Sequence, residues 1–433
     1  MSETVKLKEL VNRVKVGYVG PIDKYYCDKE SGIKIYRPTD ITPYGFDDSN
    51  VRYITKGFYK NNLKSQVHFG DVVISRCGKD GIPVIYKSHE PAQILNAVII
   101  EPDYQKMSPE AIRLFLTSPQ AQSQIENYTS GSVQAVINTE MIAALDVPVD
   151  MNLEMIQKYI QSLEDKIKNN KSISSALDSI AKFIYDYWFT QFEYPDENGK
   201  PYKSSGGKMV WNEELKRNIP EGWEVKPLSA FIASSKNGDW GNDTPKRKDD
   251  IAVTCFRGAD FASITDDYHV TAPIRYIRAK NADRLLSDGD LVTEISGGSP
   301  TQATGRVGYI NKIFLERNGG KMDCSNFCKA FTPVKFFYQY WLYQTWKAYY
   351  DSGVMFNYES KTTGIKNLMF DEFITWVRVP TPSDELLEKY QKVCAQYYDK
   401  IQEGFIESTQ LASLRDFLLP MLMNGQVKIE GNS

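Results

Sequence analysis

The sequence predicts a mixed α/β protein with two similar α/β domains, each followed by a long helix. At 433 residues the chain is too long for one ordinary domain. Three landmarks recur in the same order in both halves: Gly-Asp before an apolar run, then Ser-Gly, then Val-Pro. They begin at Gly70, Ser130 and Val147 in the first half and at Gly289, Ser352 and Val379 in the second. A repeat of this size indicates two copies of one domain-plus-helix unit.

Short β-branched segments bounded by Gly, Pro, Asn or Asp predict the strands of the first domain. These segments are 33–36, 51–54, 71–75 and 94–100. A helix is predicted over 109–116, because Ser108 is a favourable N-cap. The second domain opens with 225–228, which echoes the segment 5–7 near the start of the chain.

After each Val-Pro, seam residues recur at alternating steps of four and three, the a/d pattern of a heptad helix. The first series is Ile156, Ile160, Leu163, Ile167, Asn170, Ser174, Leu177, Ala181, Ile184 and Trp188. The second is Leu387, Tyr390, Cys394, Tyr397, Ile401, Gly404, Ser408, Leu411, Arg415 and Leu418.

Small or polar residues interrupt both series at matching layers. Asn170 aligns with Gly404, and Ser174 aligns with Ser408. Such layers fix register at some cost in stability, so we expect the two helices to pair with each other. The alternative is two amphipathic helices that each lie on their own domain.

These patterns divide the chain into five segments. We expect a first α/β domain at 1–150, a helix at 151–192, a connector at 193–222, a second α/β domain at 223–382 and a distal helix at 383–425. The connector is rich in Pro, Gly and Ser. Its aromatic residues, among them Tyr202 and Trp211, together with Trp223 at its end, indicate that it is docked on a surface.

Composition favours a reduced, cytoplasmic protein with no membrane partner. The six cysteines are scattered, and no apolar run approaches the roughly 20 residues that span a bilayer. The N-terminus alternates charged and apolar residues, unlike a signal peptide. Cys324 and Cys328 are spaced like a metal pair, but no Cys/His cluster partners them, so burial as small apolar residues is the favoured reading.

Motifs for catalysis are missing from the sequence. It has no Asn-Pro-Pro-Tyr or Asp-Pro-Pro-Tyr segment to hold a flipped base, and no Gly-rich cofactor loop after a strand. Glu164-Asp165-Lys166 matches the end of a nuclease pattern, but it lies on a heptad helix, where a solvated face is expected. Only three histidines are available for acid–base chemistry. We therefore expect a chain without catalytic residues, bound cofactor or metal.

In and around the connector the chain has the motifs Trp188-Phe189, Gly199-Lys200-Pro201-Tyr202-Lys203, Met209-Val210 and Ile219-Pro220-x-Gly222-Trp223. Together these motifs resemble the central region of specificity (S) subunits of Type I restriction–modification systems. The segment 414–425, Leu-Arg-Asp-x-Leu-Leu-Pro-x-Leu-x-x-Gly, resembles their distal region. The resemblance covers the whole chain, including the order of domains and helices.

The resemblance implies a fold and a function. Each α/β domain would be a target recognition domain that reads one half of a bipartite double-stranded DNA site. The two helices would form an antiparallel coiled coil that sets the spacing. Two methyltransferase subunits would bind along it, and restriction subunits would join for cleavage. S-adenosylmethionine, ATP and Mg²⁺ would belong to those partners. The near-neutral charge of each domain predicts weak DNA binding by this chain alone.

Candidate DNA contacts are residues that can bind phosphates or base edges and that follow strands or the Ser-Gly landmarks. In the first half they are Arg37, Arg76, Lys79, Ser130, Ser132 and Gln134. In the second half they are Arg257, Ser299, Thr301, Gln302, Thr304, Arg306, Tyr358 and Lys361. The basic run Lys246, Arg247 and Lys248 is a candidate for phosphate contacts.

Other functions remain open at this point. A specificity subunit of another multisubunit methyltransferase or restriction enzyme would have the same architecture. A scaffold could use the helices to join two protein-binding domains without touching DNA. A stand-alone nuclease is disfavoured, because no carboxylate–lysine constellation lies on a predicted strand.

Overall fold

A computed structural model describes residues 4–42, 45–75, 81–129, 137–148, 153–297, 301–362, 365–423 and 426–427. The chain forms two compact units. The first unit comprises residues 1–165 and 412–433, and the second comprises residues 166–411. Each unit has its own buried apolar core.

The first unit contains thirteen short strands and five short helices in its described part. The strands are β1 (Thr4–Lys6), β2 (Val11–Val16), β3 (Tyr26–Cys27), β4 (Ile33–Tyr36), β5 (Ile41–Thr42), β6 (Gly45–Phe46), β7 (Arg52–Ile54), β8 (Gln66–Val67), β9 (Val72–Ser75), β10 (Pro83–Ile85), β11 (Ala92–Ile94), β12 (Ala97–Pro102) and β13 (Asp146–Pro148). The helices are α1 (Leu7–Leu10), α2 (Lys56–Asn61), α3 (Pro109–Thr117), α4 (Pro119–Thr129) and α5 (Thr139–Ala143).

Two main sheets form the first unit. One has the order β10-β9-β12-β2 and is antiparallel, and the other has the order β3-β7-β4-β11-β8. Strands β4 and β11 pair in parallel. The predicted helix is confirmed as α3, since the Ser108 side chain accepts a hydrogen bond from the backbone N–H of Ala111.

The second unit repeats this arrangement. Its strands are β14 (Met209–Asn212), β15 (Arg217–Pro220), β16 (Glu224–Pro227), β17 (Ile232–Asn237), β18 (Ile251–Phe256), β19 (Ile274–Ile277), β20 (Leu291–Glu294), β21 (Ser296–Gly297), β22 (Val307–Tyr309), β23 (Met322–Cys324), β24 (Cys328–Pro333), β25 (Glu359–Thr362), β26 (Ile365–Leu368) and β27 (Arg378–Thr381). Its short helices are α7 (Ala262–Thr265), α8 (Lys312–Arg317), α9 (Gln339–Asp351) and α10 (Phe370–Trp376).

Strand pairing makes the repeat explicit. The antiparallel sheet β17-β24-β20-β22 corresponds to β2-β12-β9-β10 of the first unit. The sheet β19-β18-β23 contains the parallel pair β18/β23, which corresponds to β4/β11. In each unit the strand at the Val-Pro landmark forms an antiparallel pair with the strand that opens the α/β domain, β13 with β1 and β27 with β16.

Both heptad segments are helical. Helix α6 (Leu153–Tyr185) continues into a π-helical turn, Asp186–Thr190, and helix α11 spans Asp384–Met423. The prediction of a mixed α/β protein with two long helices is therefore confirmed. Within the described residues, no helix is long and apolar enough to cross a membrane.

In the second unit, α11 also belongs to the domain core. Tyr398 and Phe405 are at most 1% exposed, and Tyr398 packs on Tyr309 and Tyr340 at ring-centroid distances of 4.5 and 4.6 Å. Gln402 donates hydrogen bonds to the Ile264 carbonyl and to the Tyr309 hydroxyl. In the second unit, α11 therefore packs on its own domain, as the alternative prediction states. The same helix also contacts α6.

The prediction of one strand over 94–100 is wrong. The segment is split into β11 and β12, because Asn96 takes a left-handed backbone conformation with φ of 49°. Asn tolerates this region better than other non-glycine residues, so a single residue redirects the chain.

Cys324 and Cys328 are buried at 1% and 0% exposure, as the apolar reading predicts. Burial raises the pKa of the Cys328 thiol to about 12, so this side chain is a neutral core group.

Candidate nucleic-acid interface

Arg37 and Arg257 form the same contact in the two units. In each case the arginine pairs with the aspartate three residues later, and its own backbone N–H donates to that carboxylate. Arg37 Nη2 lies 2.7 Å from Asp40 Oδ1, and Arg257 Nη2 lies 3.0 Å from Asp260 Oδ1. Both carboxylates are nearly buried, and pairing raises the pKa of each guanidinium.

We call these pairs the arginine–aspartate buttresses. Each guanidinium also donates to a backbone carbonyl of its unit, that of Asn50 for Arg37 and that of Thr271 for Arg257. The buttresses follow β4 in the first unit and β18 in the second, and each of these strands belongs to a parallel pair. Each guanidinium already donates to a buried carboxylate and to a backbone carbonyl, so few of its N–H groups remain for DNA. We therefore assign both arginines a structural role, and their contact with DNA stays a prediction.

The Gly-Asp landmarks are turns that start strands β9 and β20. Gly289 has φ of 98° and Gly70 has φ of 91°, a region that favours glycine. Asp290 Oδ2 accepts from the backbone N–H of Ser287 at 2.9 Å, and Asp71 Oδ2 accepts from that of His68 at the same distance. These turns fix the point from which each strand runs into a predicted recognition loop.

Most first-half candidates lie outside the described residues. These are Arg76 and Lys79, which follow β9, and Ser130, Ser132 and Gln134, which follow α4. Their predicted contacts remain predictions.

In the second unit the two predicted loop regions meet. Strand β21, in the loop after β20, pairs with β26, which also pairs with β25 after the Ser-Gly landmark. Ser296 lies opposite Asn367, and its hydroxyl is 2.6 Å from the Asn367 amide oxygen. One three-stranded sheet therefore joins the segment that carries Thr301–Arg306 to the hairpin that carries Lys361.

The predicted contact residues differ in exposure. Thr301 and Gln302 are exposed, and the Gln302 side chain hydrogen-bonds the Tyr350 hydroxyl. Thr304 is buried, and its N–H donates to Glu359 Oε1 at 2.7 Å. Ser299 lies outside the described residues.

Arg306 is paired within the protein. Its Nε and Nη2 donate to the two carboxylate oxygens of Glu294 at 3.0 and 2.8 Å, and its guanidinium lies 5.3 Å from the Phe261 ring centroid. The carboxylate raises the pKa of Arg306. A bidentate pair of this kind has a well-defined geometry.

The remaining candidates are spread over the second unit. Lys246, Arg247 and Lys248 are exposed, and the backbone N–H groups of the first two donate to Asp250 Oδ2. Tyr358 packs edge-on against Phe373 with a centroid distance of 5.2 Å. Lys361 lies in β25, but its side chain is outside the described part of the chain.

Sequence reasoning missed the groups that anchor this surface, namely Glu294, Glu359 and Lys366. It also missed a second repeated motif, Lys15-x-Gly17-x-x-Gly20 and Lys236-x-Gly238-x-x-Gly241. A Cβ at Gly17 or Gly238 would lie 2.6 or 2.2 Å from a backbone oxygen of the neighbouring strand. The equal spacing of Lys and Gly in the two halves could have revealed this repeated motif from the sequence alone.

Among the described residues, His68, Asp71 and Glu101 have ligand atoms within 4.8 Å of one another. However, Lys15 Nζ lies 2.5 Å from Glu101 Oε1. In the second unit Lys236 Nζ lies 3.0 Å from Asp290 Oδ2. An ammonium group beside the carboxylates disfavours a cation, so the cluster is better explained as a lysine–carboxylate site repeated in both units.

Residues of α6 and α11 contact each other within the second unit. Asn170 Nδ2 donates to the Gly404 carbonyl and to Glu407 Oε2, at 3.3 and 2.7 Å. Further along α6, the Ala181 carbonyl accepts from the Tyr390 hydroxyl, and Trp188 packs on Tyr390. From Asn170 to Ala181 the contact partner on α11 moves back from Gly404 to Tyr390.

A separate face of α6 is apolar and exposed. Ile173 and Ile180 are 42% exposed and Phe183 is 65% exposed, with exposed Ala176 between the isoleucines. Half-buried Tyr187 stacks on Phe183 with a centroid distance of 6.0 Å. These five residues, the outer face of α6, follow steps of three and four, so they align along one side of the helix.

The chain is similar in sequence to two specificity subunits. It is 22% identical over 325 residues to the specificity subunit of Type I restriction enzyme MjaIX from Methanocaldococcus jannaschii, covering 71% of this chain and 66% of that relative. The chain thus spans just under two thirds of that relative's length. It is 23% identical over 394 residues to the HindI specificity subunit from Haemophilus influenzae, covering 76% of this chain and 80% of the relative. No protein-family model matches the chain.

The fold is similar to that of a solved protein. The Type I restriction–modification S subunit from M. genitalium superimposes with a TM-score of 0.54 at 14% identity, covering 98% of this chain and 96% of that one. The sequence motifs of the connector, the repeated domain-plus-helix order and these two kinds of similarity agree. The chain is thus similar in sequence to specificity subunits of Type I restriction–modification systems and similar in fold to the S subunit from M. genitalium.

Proposed function

We propose that this protein is the DNA-recognition subunit of a Type I restriction–modification complex, with each α/β domain reading one half of a bipartite site. The observation that carries the proposal is the repeated frame. Both units hold the same four-stranded antiparallel sheet, a corresponding parallel strand pair, the same buttress and the same Gly-Asp turn, while the loops that leave β9 and β20 differ in sequence and length. Equal frames with different loops suit the recognition of two different half-sites.

We infer that the chain itself is not catalytic. Methylation and cleavage would be performed by two methyltransferase subunits and by restriction subunits. S-adenosylmethionine, ATP and Mg²⁺ would bind to those partners, and the chain would supply the sequence specificity.

The test is single-molecule methylation sequencing of a methylation-free host that expresses this chain with and without its cognate methyltransferase subunit. We expect methylated adenine at one bipartite motif only when both proteins are present. A stable complex of the two proteins that leaves the genome unmodified would contradict the proposal and favour a scaffold.

We propose further that α6 and α11 pair as an antiparallel coiled coil that sets the distance between the half-sites. The reversed order of the contacts Asn170–Gly404 and Ala181–Tyr390 supports this direction. The matched layers support a fixed register, since Asn170 also donates to Ser408 Oγ at 3.3 Å.

Inserting one heptad into α6 after Asp165 and one into α11 after Leu411 should lengthen the tolerated spacer by about three base pairs. Seven residues add about 10 Å of helix, against about 3.4 Å per base pair. Methylation sequencing of the insertion variant checks the spacer. Three-residue insertions at the same sites, which break the heptad phase, are the control and should abolish modification. An unchanged spacer in the heptad variant would show that the paired helices do not set the distance between the half-sites.

The outer face of α6 fits a methyltransferase subunit that docks through an amphipathic helix. Its apolar residues lie at heptad spacing, and the hydroxyls of Ser172 and Ser179 beside them already donate to carbonyls of their own helix. Because these serine side chains are small and their hydroxyls are already hydrogen-bonded, a second helix can pack here without leaving polar groups unpaired.

Changing both Ile180 and Phe183 to glutamate should weaken binding of the methyltransferase subunit by about thirtyfold or more, a typical effect for buried interface anchors. Titration of the purified partner by calorimetry measures the loss. Ser175→Glu places a charge on the opposite side of the same helix and should bind normally. Equal affinity for all three proteins would exclude this face as the docking site.

A further inference from the structure

The loop that follows β20 is long and is closed at its base by charged groups. From the strand register, Ser75 and Ile82 of the first unit correspond to Glu294 and Arg306. The first unit therefore connects these positions through residues 76–81, whereas the second uses residues 295–305, a loop five residues longer. A longer loop has more conformations to lose before it can bind, so any fixed shape needs internal contacts.

Glu294 and Arg306 close the base of the loop. The Glu294 N–H donates to the Arg306 carbonyl at 2.9 Å, and the side chains form the bidentate pair described above. The Glu294 side chain is 11% exposed and that of Arg306 is 30% exposed, so the pair is screened less than a surface ion pair.

Glu359 and Lys366 hold the C-terminal part of the loop against the hairpin. The Glu359 side chain is 3% exposed and accepts from the Thr304 N–H and from Lys366 Nζ, at 2.7 and 3.1 Å. Lys366 Nζ also donates to the Gln302 carbonyl at 3.1 Å. Two backbone groups of the loop are thereby tied to one hairpin.

Negative side chains beside a DNA-reading loop repel phosphates, so their benefit to recognition must come from geometry. We propose, resting on the proposed function, that Glu294, Arg306, Glu359 and Lys366 are positioning residues that hold residues 301–305 of this loop in the shape that reads the second half-site. Arg306 then acts through the loop, and direct contact with bases belongs to exposed side chains such as Gln302.

The test uses Glu294→Gln and Glu359→Gln in the complex with the cognate methyltransferase subunit. Each variant keeps the side-chain shape and removes one negative charge. We expect discrimination against mismatches in the second half-site to fall about tenfold or more, the cost of roughly one specific base contact. Discrimination in the first half-site should be unchanged, and affinity for unrelated DNA should stay equal or rise.

Two comparison variants and one alternative outcome make the test decisive. Glu372→Gln removes an exposed carboxylate from α10 and should leave discrimination unchanged in both half-sites. Gln302→Ala should show the loss expected of a direct contact. Arg306 would be a base reader instead if Glu294→Gln, which frees its guanidinium, kept or sharpened discrimination, and that result would overturn the proposal.

Equal loss in both half-sites would also overturn it, since a damaged protein loses all recognition. Thermal unfolding of each variant shows whether the second unit remains folded, and the two carboxylates act at different parts of the loop, so either variant alone can decide. If the wild-type complex methylates no bipartite motif, the proposed function fails first and independently of these variants.

Discussion

Replacing Trp346 with alanine should lower the free energy of unfolding of the second unit by roughly 3–5 kcal/mol, the usual cost of truncating a fully buried tryptophan. Trp346 is 1% exposed. Its ring lies 4.9 Å from that of Phe331 and 4.7 Å from that of Phe373, measured between centroids. Alanine would leave a cavity between a sheet and two helices that cannot collapse without moving all three.

Trp346→Phe separates packing from hydrogen bonding. Trp346 Nε1 donates to the Gly305 carbonyl at 2.9 Å, so phenylalanine keeps an aromatic ring but removes a tie to the recognition loop. We expect it to cost much less stability than alanine while still impairing reading of the second half-site. Chemical denaturation, followed by tryptophan fluorescence and by circular dichroism, measures both variants. A loss below about 1 kcal/mol for the alanine variant would show that the site repacks.

The second unit should become less stable as pH rises from about 4 to about 7, because of Asp323. This carboxyl lies in β23 and is fully buried. Its Oδ1 accepts from the backbone N–H of Cys324, and its Oδ2 has no hydrogen-bond partner. Burial raises the pKa of Asp323 to about 7, with a further contribution from Asp239, while Arg284 lowers it.

The direction of this pH dependence of stability follows from proton linkage. The folded state holds this proton more tightly than the unfolded chain, so stability is greatest below the unfolded pKa and is lost as pH rises through the folded pKa. A shift from 3.8 to about 7 corresponds to at most about 4 kcal/mol. Asp323→Asn should flatten the pH dependence and stabilise the second unit at pH 8. Parallel curves for the two proteins between pH 5 and pH 8 would refute this role.

Sequence reasoning found the long-range organisation because it rests on local periodicity. The heptads of α6 and α11 and the Ser108 cap are visible in neighbouring residues, and so are the Gly-Asp turns. The split at Asn96 was missed, since an apolar run around one Asn reads as a continuous strand. The parallel pairs β4/β11 and β18/β23 join segments far apart in sequence, and no local pattern specifies them.

The candidate interface was predicted in part for the same reason. The sequence located the segment from Thr301 to Arg306 and the hairpin after the Ser-Gly landmark, and the structure joins them through hydrogen bonds to Glu359 and Lys366. It could not reveal that Arg306 faces Glu294 or that Thr304 faces Glu359, because such pairs arise only when strands from separate segments are adjacent. Polar side chains in a loop therefore cannot be sorted by sequence into outward contacts and inward anchors.

The shared use of α11 has a mechanical consequence. Tyr398 and Phe405 lie in the core of the second domain, while Gly404 and Ser408 of the same helix contact Asn170 of α6. The domain cannot swivel about the helix without breaking its own aromatic core. If α6 and α11 pair as proposed, a change in the helical phase of α11 would therefore also rotate the second domain about the helix axis.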